Sequence, residues 1–175
     1  MKKSTNEEYS QRGSSGVRKI VFTGCMAAII CVLTMIVKIP TPTKGYVNIG
    51  DTGVILASAM LGPLYGALAS GIGSALADTI SGYMVYAPVT LIVKALMAVF
   101  AALIIRKVRG NKSIILAVLV CEAIMVLGYF LFEIFMAGSV AAAAAGIPMN
   151  ILQGVINGIA GAVIYIAAKN YLPKI

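Results

Sequence analysis

Long apolar stretches, separated by short polar segments, set the pattern of this chain. A helix needs about twenty apolar residues to cross the hydrocarbon core of a membrane. The stretch 52–77 holds 26 uncharged residues, and we predict two short helices there, broken at Gly62–Pro63, because proline removes a backbone donor and ends or kinks a helix. The other predicted spans cover residues 20–38, 88–105, 113–137 and 148–168. The pattern therefore predicts an all-α integral membrane protein with six transmembrane helices.

Composition and charge agree with this fold class. Hydrophobic residues make up 60% of the chain and charged residues 11%, against roughly 25% charged residues in soluble domains. With six spans, eleven of the 14 lysines and arginines lie in the two terminal segments or the 106–112 loop, and Lys38 and Lys44 lie on the other side. The positive-inside rule then places both termini in the cytoplasm. We predict a cytoplasmic tail at 1–19, a six-helix membrane domain at 20–170 and a cytoplasmic tail at 171–175.

Charged groups inside a membrane are costly and are functional candidates by default. Lys94 lies about 9 Å from the outer end of its span, at 1.5 Å per residue, and Glu133 lies at a matching depth. These two residues either pair with each other or both contact a polar ligand. Asp51 opens one span and Asp78 closes another on the outer side. Asp51 could be a helix cap and Asp78 a turn residue. The alternative is that both belong to a functional site.

Amide and aromatic groups gather on the same outer side. Asn150, Gln153 and Asn157 form one polar stripe on the last span, while Tyr46 and Tyr86 lie in outer loops. This distribution predicts a pocket that opens to the outside and suits a small, polar, partly aromatic molecule. The 39–49 loop is long enough to form a lid over such a pocket.

Small residues at four-residue spacing form three seams. Residues four apart share one face of a helix, and small residues let helix backbones approach closely in membranes. We expect the first two seams to pack within the chain, and the third is the best candidate for contact with another protein. The seams are Gly62, Gly66, Ser70 and Ser74; Asn150, Gly154, Gly158 and Ala162; and Gly24 and Ala28.

Several functional classes are disfavoured by what the chain lacks. It has no histidine and no G-x-x-x-x-G-K-[ST] motif, which argues against serine–histidine chemistry and P-loop phosphate binding. No basic run is interleaved with aromatic residues, so nucleic acid is not an expected partner. We predict no metal site and no cofactor, and we favour a carrier that depends on an external energy source over an enzyme.

Four motifs between Asn48 and Ile104 carry a family resemblance. They are "GD" at the start of the second span, "GPxxGAL" at the predicted break, "GSALAD" at the end of the third span and "APxTLIxKAL" in the fourth. This stretch, about a third of the chain, resembles the substrate-binding S components of energy-coupling factor (ECF) vitamin transporters. It is most similar to their hydroxymethylpyrimidine or pyridoxine branch.

The resemblance implies a subunit that captures a vitamin at the outer face of the plasma membrane of a bacterial cell and performs no chemistry. It would dock on a transmembrane scaffold subunit of the EcfT type, which carries two cytoplasmic ATPase subunits of the EcfA type. Gly24 and Ala28 match the positions that meet the scaffold in that family, with glycine in place of the usual alanine. Together with Asp51, the predicted substrate-binding residues are Asn48, Tyr86, Lys94, Glu133, Asn150 and Gln153.

Two other hypotheses remain open. A proton-coupled secondary carrier would use Glu122, which lies deeper in its span than Glu133, as its proton site. A structural membrane subunit without a ligand would hold Lys94 and Glu133 only as an ion pair. The chain has no tryptophan or histidine, so any stacking against a ligand ring must come from tyrosine or phenylalanine.

Overall fold

The computed structural model describes residues 2–108 and 110–171, with side chains described from residue 16 onward. Arg109, Lys174 and most of the predicted 171–175 tail therefore lie outside the described residues. The described chain is helical apart from one short antiparallel hairpin. Its elements are α1 (Lys2–Ile36), β1 (Ile39–Pro40), β2 (Tyr46–Val47), α2 (Gly50–Ile80), α3 (Ala87–Lys107), α4 (Lys112–Ala137), α5 (Val140–Ala144) and α6 (Ile147–Ala168).

Five helical stretches are long and apolar enough to cross a membrane: Gly16–Ile36, Gly50–Ile80, Ala87–Lys107, Lys112–Ala137 and Val140–Ala168. The predicted all-helical, membrane-spanning fold class is confirmed at this level. The helix ends lie within a few residues of the predicted spans for α3, α4 and α6. The β1–β2 hairpin and the short helix α5 were not predicted.

Helix α2 is interrupted at Gly62, which adopts φ 76° and ψ −170°. A Cβ atom placed on Gly66 would lie 3.2 Å from the Cα atom of Ser58. In an uninterrupted helix, residues eight apart are separated by about 12 Å along the axis. The chain therefore doubles back at Gly62 into a first segment, 50–61, and a second segment, 63–80. The predicted break at Gly62–Pro63 is confirmed, and both ends of α2 lie at the same end of the bundle.

The glycines of the first two seams pack inside the chain. Helix α2 packs against α1, α3 and α6, and α4 packs against α3 and α6. Gly66 faces the first segment of α2, while Gly154 and Gly158 lie against Glu122 and Val118 of α4. The intrachain interpretation of these glycines is confirmed.

The third seam is exposed. Gly24 has no neighbouring atom within 4 Å of an added Cβ, and both Gly24 and Ala28 lie on the exposed side of α1. The face of α1 that carries them is thus not covered by the described part of the chain.

Candidate functional site

A buried ion pair joins α2 to α3. The Lys94 ammonium contacts the Asp51 carboxylate, and these side chains are only 2% and 0% exposed. The second oxygen of Asp51 accepts a hydrogen bond of 2.6 Å from Nε2 of Gln153, and the Lys94 Nζ also lies 5.3 Å from the centre of the Tyr129 ring. The predicted alternative that Lys94 pairs with Glu133 is therefore wrong. Asp51 is more than a helix cap, because it neutralises a buried cation.

Amide side chains of α6 extend this arrangement to the start of α2. Oε1 of Gln153 accepts a hydrogen bond of 2.9 Å from the backbone N–H of Asn48. Asn157 accepts from the backbone N–H of Thr52 at 3.0 Å and donates to the carbonyl of Asn48 at 2.8 Å. We call these residues, with the Lys94–Asp51 pair, the polar network. Because its members bond one another, the polar network fixes where the loop before α2 enters the helix.

A small cavity lies next to the polar network, toward the loops. We call this end of the bundle, formed by residues 37–49, 81–86 and 138–146, the loop end. The cavity, here called the deep cavity, measures about 20 Å³, which is room for about one water molecule. It is lined by Thr41, Gly45, Tyr46, Asn48, Asp78, Tyr86, Thr90, Tyr129, Glu133 and Asn150.

Three residues that line the deep cavity carry buried polar atoms without a hydrogen-bond partner among the described residues. These atoms are Oδ2 of Asp78, Oε2 of Glu133 and Nδ2 of Asn150. The three side chains are 3%, 4% and 6% exposed, respectively. A buried polar group that lacks a partner costs roughly 1–3 kcal/mol. Three of the residues that line the deep cavity thus carry a polar atom that lacks a hydrogen-bond partner in the described part of the chain.

The 39–49 loop closes the deep cavity from above. Thr43 donates a hydrogen bond of 2.6 Å to Oε1 of Glu133, and its carbonyl accepts one of 2.6 Å from the Tyr86 hydroxyl. The Tyr46 hydroxyl donates to Oδ1 of Asp78. Glu133 also lies beside the residue before α6, since a Cβ on Gly146 would approach its Oε2 to 2.6 Å. The loop is therefore held by the same carboxyl groups that line the cavity.

Tyr46 and Tyr86, the two tyrosines that hold the 39–49 loop, stay protonated at neutral pH. Burial, reinforced by the nearby Glu133 carboxylate, raises the pKa of Tyr86 to about 12. Burial and the hydrogen bond to Asp78 raise the pKa of Tyr46 above its usual range. The two hydroxyls are consequently hydrogen-bond donors, and they hold the loop in place across the physiological pH range.

A second, larger cavity opens at the surface of the loop end. This surface cavity has a volume of about 380 Å³ and shares Tyr86 and Glu133 with the deep cavity. Such a volume lies within the range of about 300–1,000 Å³ that is typical of small-molecule sites. The Thr43–Glu133 hydrogen bond lies between the two cavities. The other lining residues are Pro42, Thr43, Lys44, Gly82, Tyr83, Val85, Met136, Ala137 and Ala142.

A groove of about 630 Å³ between α4 and α6 is larger still, but its lining is apolar apart from Glu122. The side chains along it include Leu119, Leu127 and Ile159, which are largely exposed. In a membrane protein such a surface faces lipid. Both carboxylate oxygens of Glu122 are buried without a hydrogen-bond partner in the described part of the chain, and Glu122 lines neither cavity of the loop end.

The predicted site residues divide into two groups. Asn48, Tyr86, Glu133 and Asn150 line the deep cavity, whereas Asp51, Lys94 and Gln153 belong to the polar network beneath it. The second group supports the site rather than lining it.

Sequence reasoning missed Thr43, Thr90 and Tyr129 at the site. Thr90 precedes Lys94 by four residues, and Tyr129 precedes Glu133 by four. Residues four apart share a helix face, so the helical period could have predicted that Thr90 and Tyr129 lie on the same faces as Lys94 and Glu133. The Thr90 and Tyr129 hydroxyls lie 3.1 Å apart. Thr43 carried no comparable signal, because a loop has no such period. No group of three or more metal-ligating side chains occurs in the described part of the chain.

Comparisons with known proteins agree with this architecture. Residues 14–170 match the protein family described as ECF-type riboflavin transporter, S component. A protein from Pyrococcus woesei, described as an uncharacterized protein in gap 3'region, is 40% identical over 101 residues, which are 57% of this chain and 68% of that protein. The fold is similar to a solved structure described as "Structure and mechanism of the S component of a bacterial ECF transporter". The TM-score is 0.68 at 22% identity, covering 90% of this chain and 98% of that one.

Proposed function

Because the chain belongs to the family of ECF-type riboflavin transporter S components, we propose that it captures a water-soluble vitamin or vitamin precursor at the loop end. The subunit belongs to a transporter and is not an enzyme. The single observation that carries the proposal is the deep cavity, with its three buried polar atoms that lack a partner in the described chain. Groups left unsatisfied in this way gain hydrogen bonds when a polar ligand binds.

The deep cavity is too small for a vitamin while the 39–49 loop is seated, so the ligand site includes the surface cavity. A ligand that replaces the Thr43–Glu133 hydrogen bond would join the two cavities and retain Glu133 as a contact. The loop then acts as the lid. Tyr86 supplies aromatic surface to both cavities, and its ring packs edge-to-face against Phe132 with the ring centres 5.2 Å apart.

Two vitamin classes are supported by separate observations. The family description favours riboflavin, and it rests on residues 14–170. The motifs between Asn48 and Ile104 favour hydroxymethylpyrimidine or pyridoxine, whose single rings need less space. We expect the chain to bind a ligand from one of these classes.

We further propose that both termini face the cytoplasm and that six helices cross the membrane. The doubling back of α2 at Gly62 supports this topology, since it returns the chain to the loop end. A scaffold subunit of the EcfT type, with two ATPase subunits of the EcfA type, would dock on the uncovered face of α1 that carries Gly24 and Ala28.

The first experiment is purification in mild detergent, followed by mass spectrometry of any small molecule that comes with the protein. Riboflavin, hydroxymethylpyrimidine or pyridoxine at near-stoichiometric amount would establish the capture role and identify the vitamin. An empty protein that binds none of them in titrations would contradict the proposal. Uptake by this chain alone, driven by a pH gradient, would instead favour a proton-coupled carrier with Glu122 as its proton site.

Two variants test the proposed site. Glu133→Ala and Asn150→Ala should each weaken ligand binding by about 1–3 kcal/mol, because each leaves ligand groups without a partner. Isothermal titration in detergent measures the change. Asn111→Ala is the matched control, since it removes an amide at the opposite end of α4, outside both cavities. Unchanged affinity in both test variants would remove Glu133 and Asn150 from the site.

A further inference from the structure

The groove between α4 and α6 lies apart from both cavities of the loop end. Its walls are residues 115–127 of α4 and 151–162 of α6. The lining residues recur three and four positions apart, so one face of each helix builds the groove. At 1.5 Å per residue the α4 wall is about 18 Å long, and the volume of about 630 Å³ lies within the range of small-molecule sites. The groove therefore has the dimensions of a site for a slender molecule.

Glu122 is placed near the middle of the α4 wall. Among the described residues that line the groove, it alone has a polar side chain. The side chain is 8% exposed, and both of its oxygens lack a hydrogen-bond partner in the described part of the chain. The hydrocarbon core of a membrane holds no water to supply one. A ligand in the groove that carries a polar group at this position would remove the deficit.

A hydroxyl group is the partner that fits this carboxyl in either protonation state. An ionised carboxyl only accepts hydrogen bonds, whereas a protonated one also donates through its O–H. A hydroxyl both donates and accepts, while an ammonium group only donates and a carbonyl only accepts. The choice of a hydroxyl therefore does not depend on whether Glu122 is ionised.

The depth of Glu122 in the membrane determines where on the ligand the hydroxyl lies. Glu122 follows Lys112, where α4 begins, by about 15 Å along the helix, and the hydrocarbon core is about 30 Å thick. A hydroxyl at the end of a lipid chain stays at the membrane surface, where water bonds it. A hydroxyl in the middle of a chain lies at the depth of Glu122 and has no water there.

From these observations we propose that the α4–α6 groove binds, from the bilayer, an apolar chain that carries a hydroxyl group near its middle. The hydroxyl bonds to Glu122 and the two arms of the chain lie along the apolar walls. Glu122 already forms part of the wall, and rotation about its side-chain bonds turns an oxygen toward the hydroxyl. Gly154 leaves room for the carboxyl, since an added Cβ would lie 3.0 Å from the Glu122 Cβ. This site is independent of ligand capture at the loop end.

The test uses the purified protein in phosphatidylcholine nanodiscs with three photoreactive octadecyl probes. Each probe carries a diazirine at one chain end. One has a hydroxyl in the middle of the chain, the second has a hydroxyl at the other end, and the third has a methoxy group in the middle and no donor. Mass spectrometry of peptides from α4 and α6 measures the labelling. We expect the mid-chain alcohol to label the groove at least about fivefold more than either other probe, the lower end of what a buried hydrogen bond contributes.

Variants separate the hydrogen bond from the shape of the groove. Glu122→Leu should reduce labelling by the mid-chain alcohol to the level of the ether, whereas Glu122→Gln keeps a donor and an acceptor and should keep most of the preference. Ala123→Phe fills the groove beside Glu122 and should also remove the preference. Val163→Phe is the matched control and should label as the wild type does, because Val163 is exposed on α6 but outside the groove.

Equal labelling of the wild-type groove by the three probes would overturn the inference, as would a preference that survives in both Glu122→Leu and Ala123→Phe. A dimer in detergent that Ala123→Phe converts to a monomer would also overturn it, because a second copy would then cover the groove. Thermal melting confirms that each variant is folded, and Ala123→Phe decides the test if Glu122→Leu does not fold. Selective labelling of the groove in a protein that binds no vitamin would contradict the proposed function alone.

Discussion

Lys94 shows how a buried charge is accommodated in this fold. Removing one partner of a buried ion pair leaves an uncompensated charge, which costs far more than the pair contributes. The Asp51 carboxylate also accepts from Gln153, so the loss of the cation would disturb the entry into α2 as well. The pair is therefore a structural element on which the site rests.

Lys94→Met should destabilise the protein by about 3–5 kcal/mol, because it leaves Asp51 charged and buried without its cation. Thermal unfolding in detergent measures the effect. The double variant Asp51→Asn/Lys94→Met should regain most of the lost stability, since it removes both charges. A single variant as stable as the wild type would show that the pair does not support the fold.

The partner of Lys94 was, like Thr43, a part of the site that sequence could not predict. The depth of a residue below the outer end of its own helix follows from the rise of 1.5 Å per residue. This calculation placed Lys94 and Glu133 at similar depths. The starting height of the first segment of α2 does not follow from its own sequence. That segment begins deeper than the surface, which brings Asp51 rather than Glu133 to the lysine.

At the scale of elements, the turn within α2 was predictable because two independent signals agreed. Proline disfavours a continuous helix, and the balance of basic residues required an even number of crossings. The 39–49 loop was predicted as a lid, but its contacts were not, since they are long-range: Thr43 and Glu133 are 90 residues apart. The short helix α5, built largely from alanine, carried too little pattern to be recognised.

Gly62→Ala should destabilise the α2 turn by about 1–3 kcal/mol, because φ 76° with ψ −170° is a conformation essentially restricted to glycine. An added Cβ would also collide with the Arg106 guanidinium. Gly82→Ala is the matched control, since Gly82 has φ 84° but open space around it. Melting temperatures compare the two, and a loss for Gly62→Ala no larger than that for Gly82→Ala would contradict this expectation.

At the scale of the whole molecule, the bundle leaves α1 on its edge. This helix packs against α2, while Gly24 and Ala28 lie on its exposed side. An uncovered small-residue face suits close contact with another transmembrane helix. Docking of the scaffold at this face stays a prediction. If it is correct, a substitution on this face should affect transport without affecting ligand binding.

Ala28→Phe should abolish vitamin transport by the full complex while leaving the affinity for the vitamin unchanged, because the substituted side chain lies far from the loop end. Uptake in cells that carry the scaffold and ATPase subunits measures transport, and titration of the purified subunit measures binding. Val163→Phe on the exposed face of α6 is the control and should transport normally. Normal uptake by Ala28→Phe would exclude this face of α1 as the interface.

The unequal lengths of the two α2 segments would limit the length of a ligand in the proposed site. The first segment, 50–61, is about 18 Å long and the second, 63–80, about 27 Å, at 1.5 Å per residue. Because both start from the turn at Gly62, the shorter one stops about 9 Å below the other, and Asn48 just before it lines the deep cavity. One added helical turn in the first segment would move Asn48 about 5.4 Å toward the loop end and fill the deep cavity. One turn fewer would make the cavity deeper. If the proposed site is correct, the number of residues in the first segment of α2 would limit the length of the ligand, together with the side chains around it.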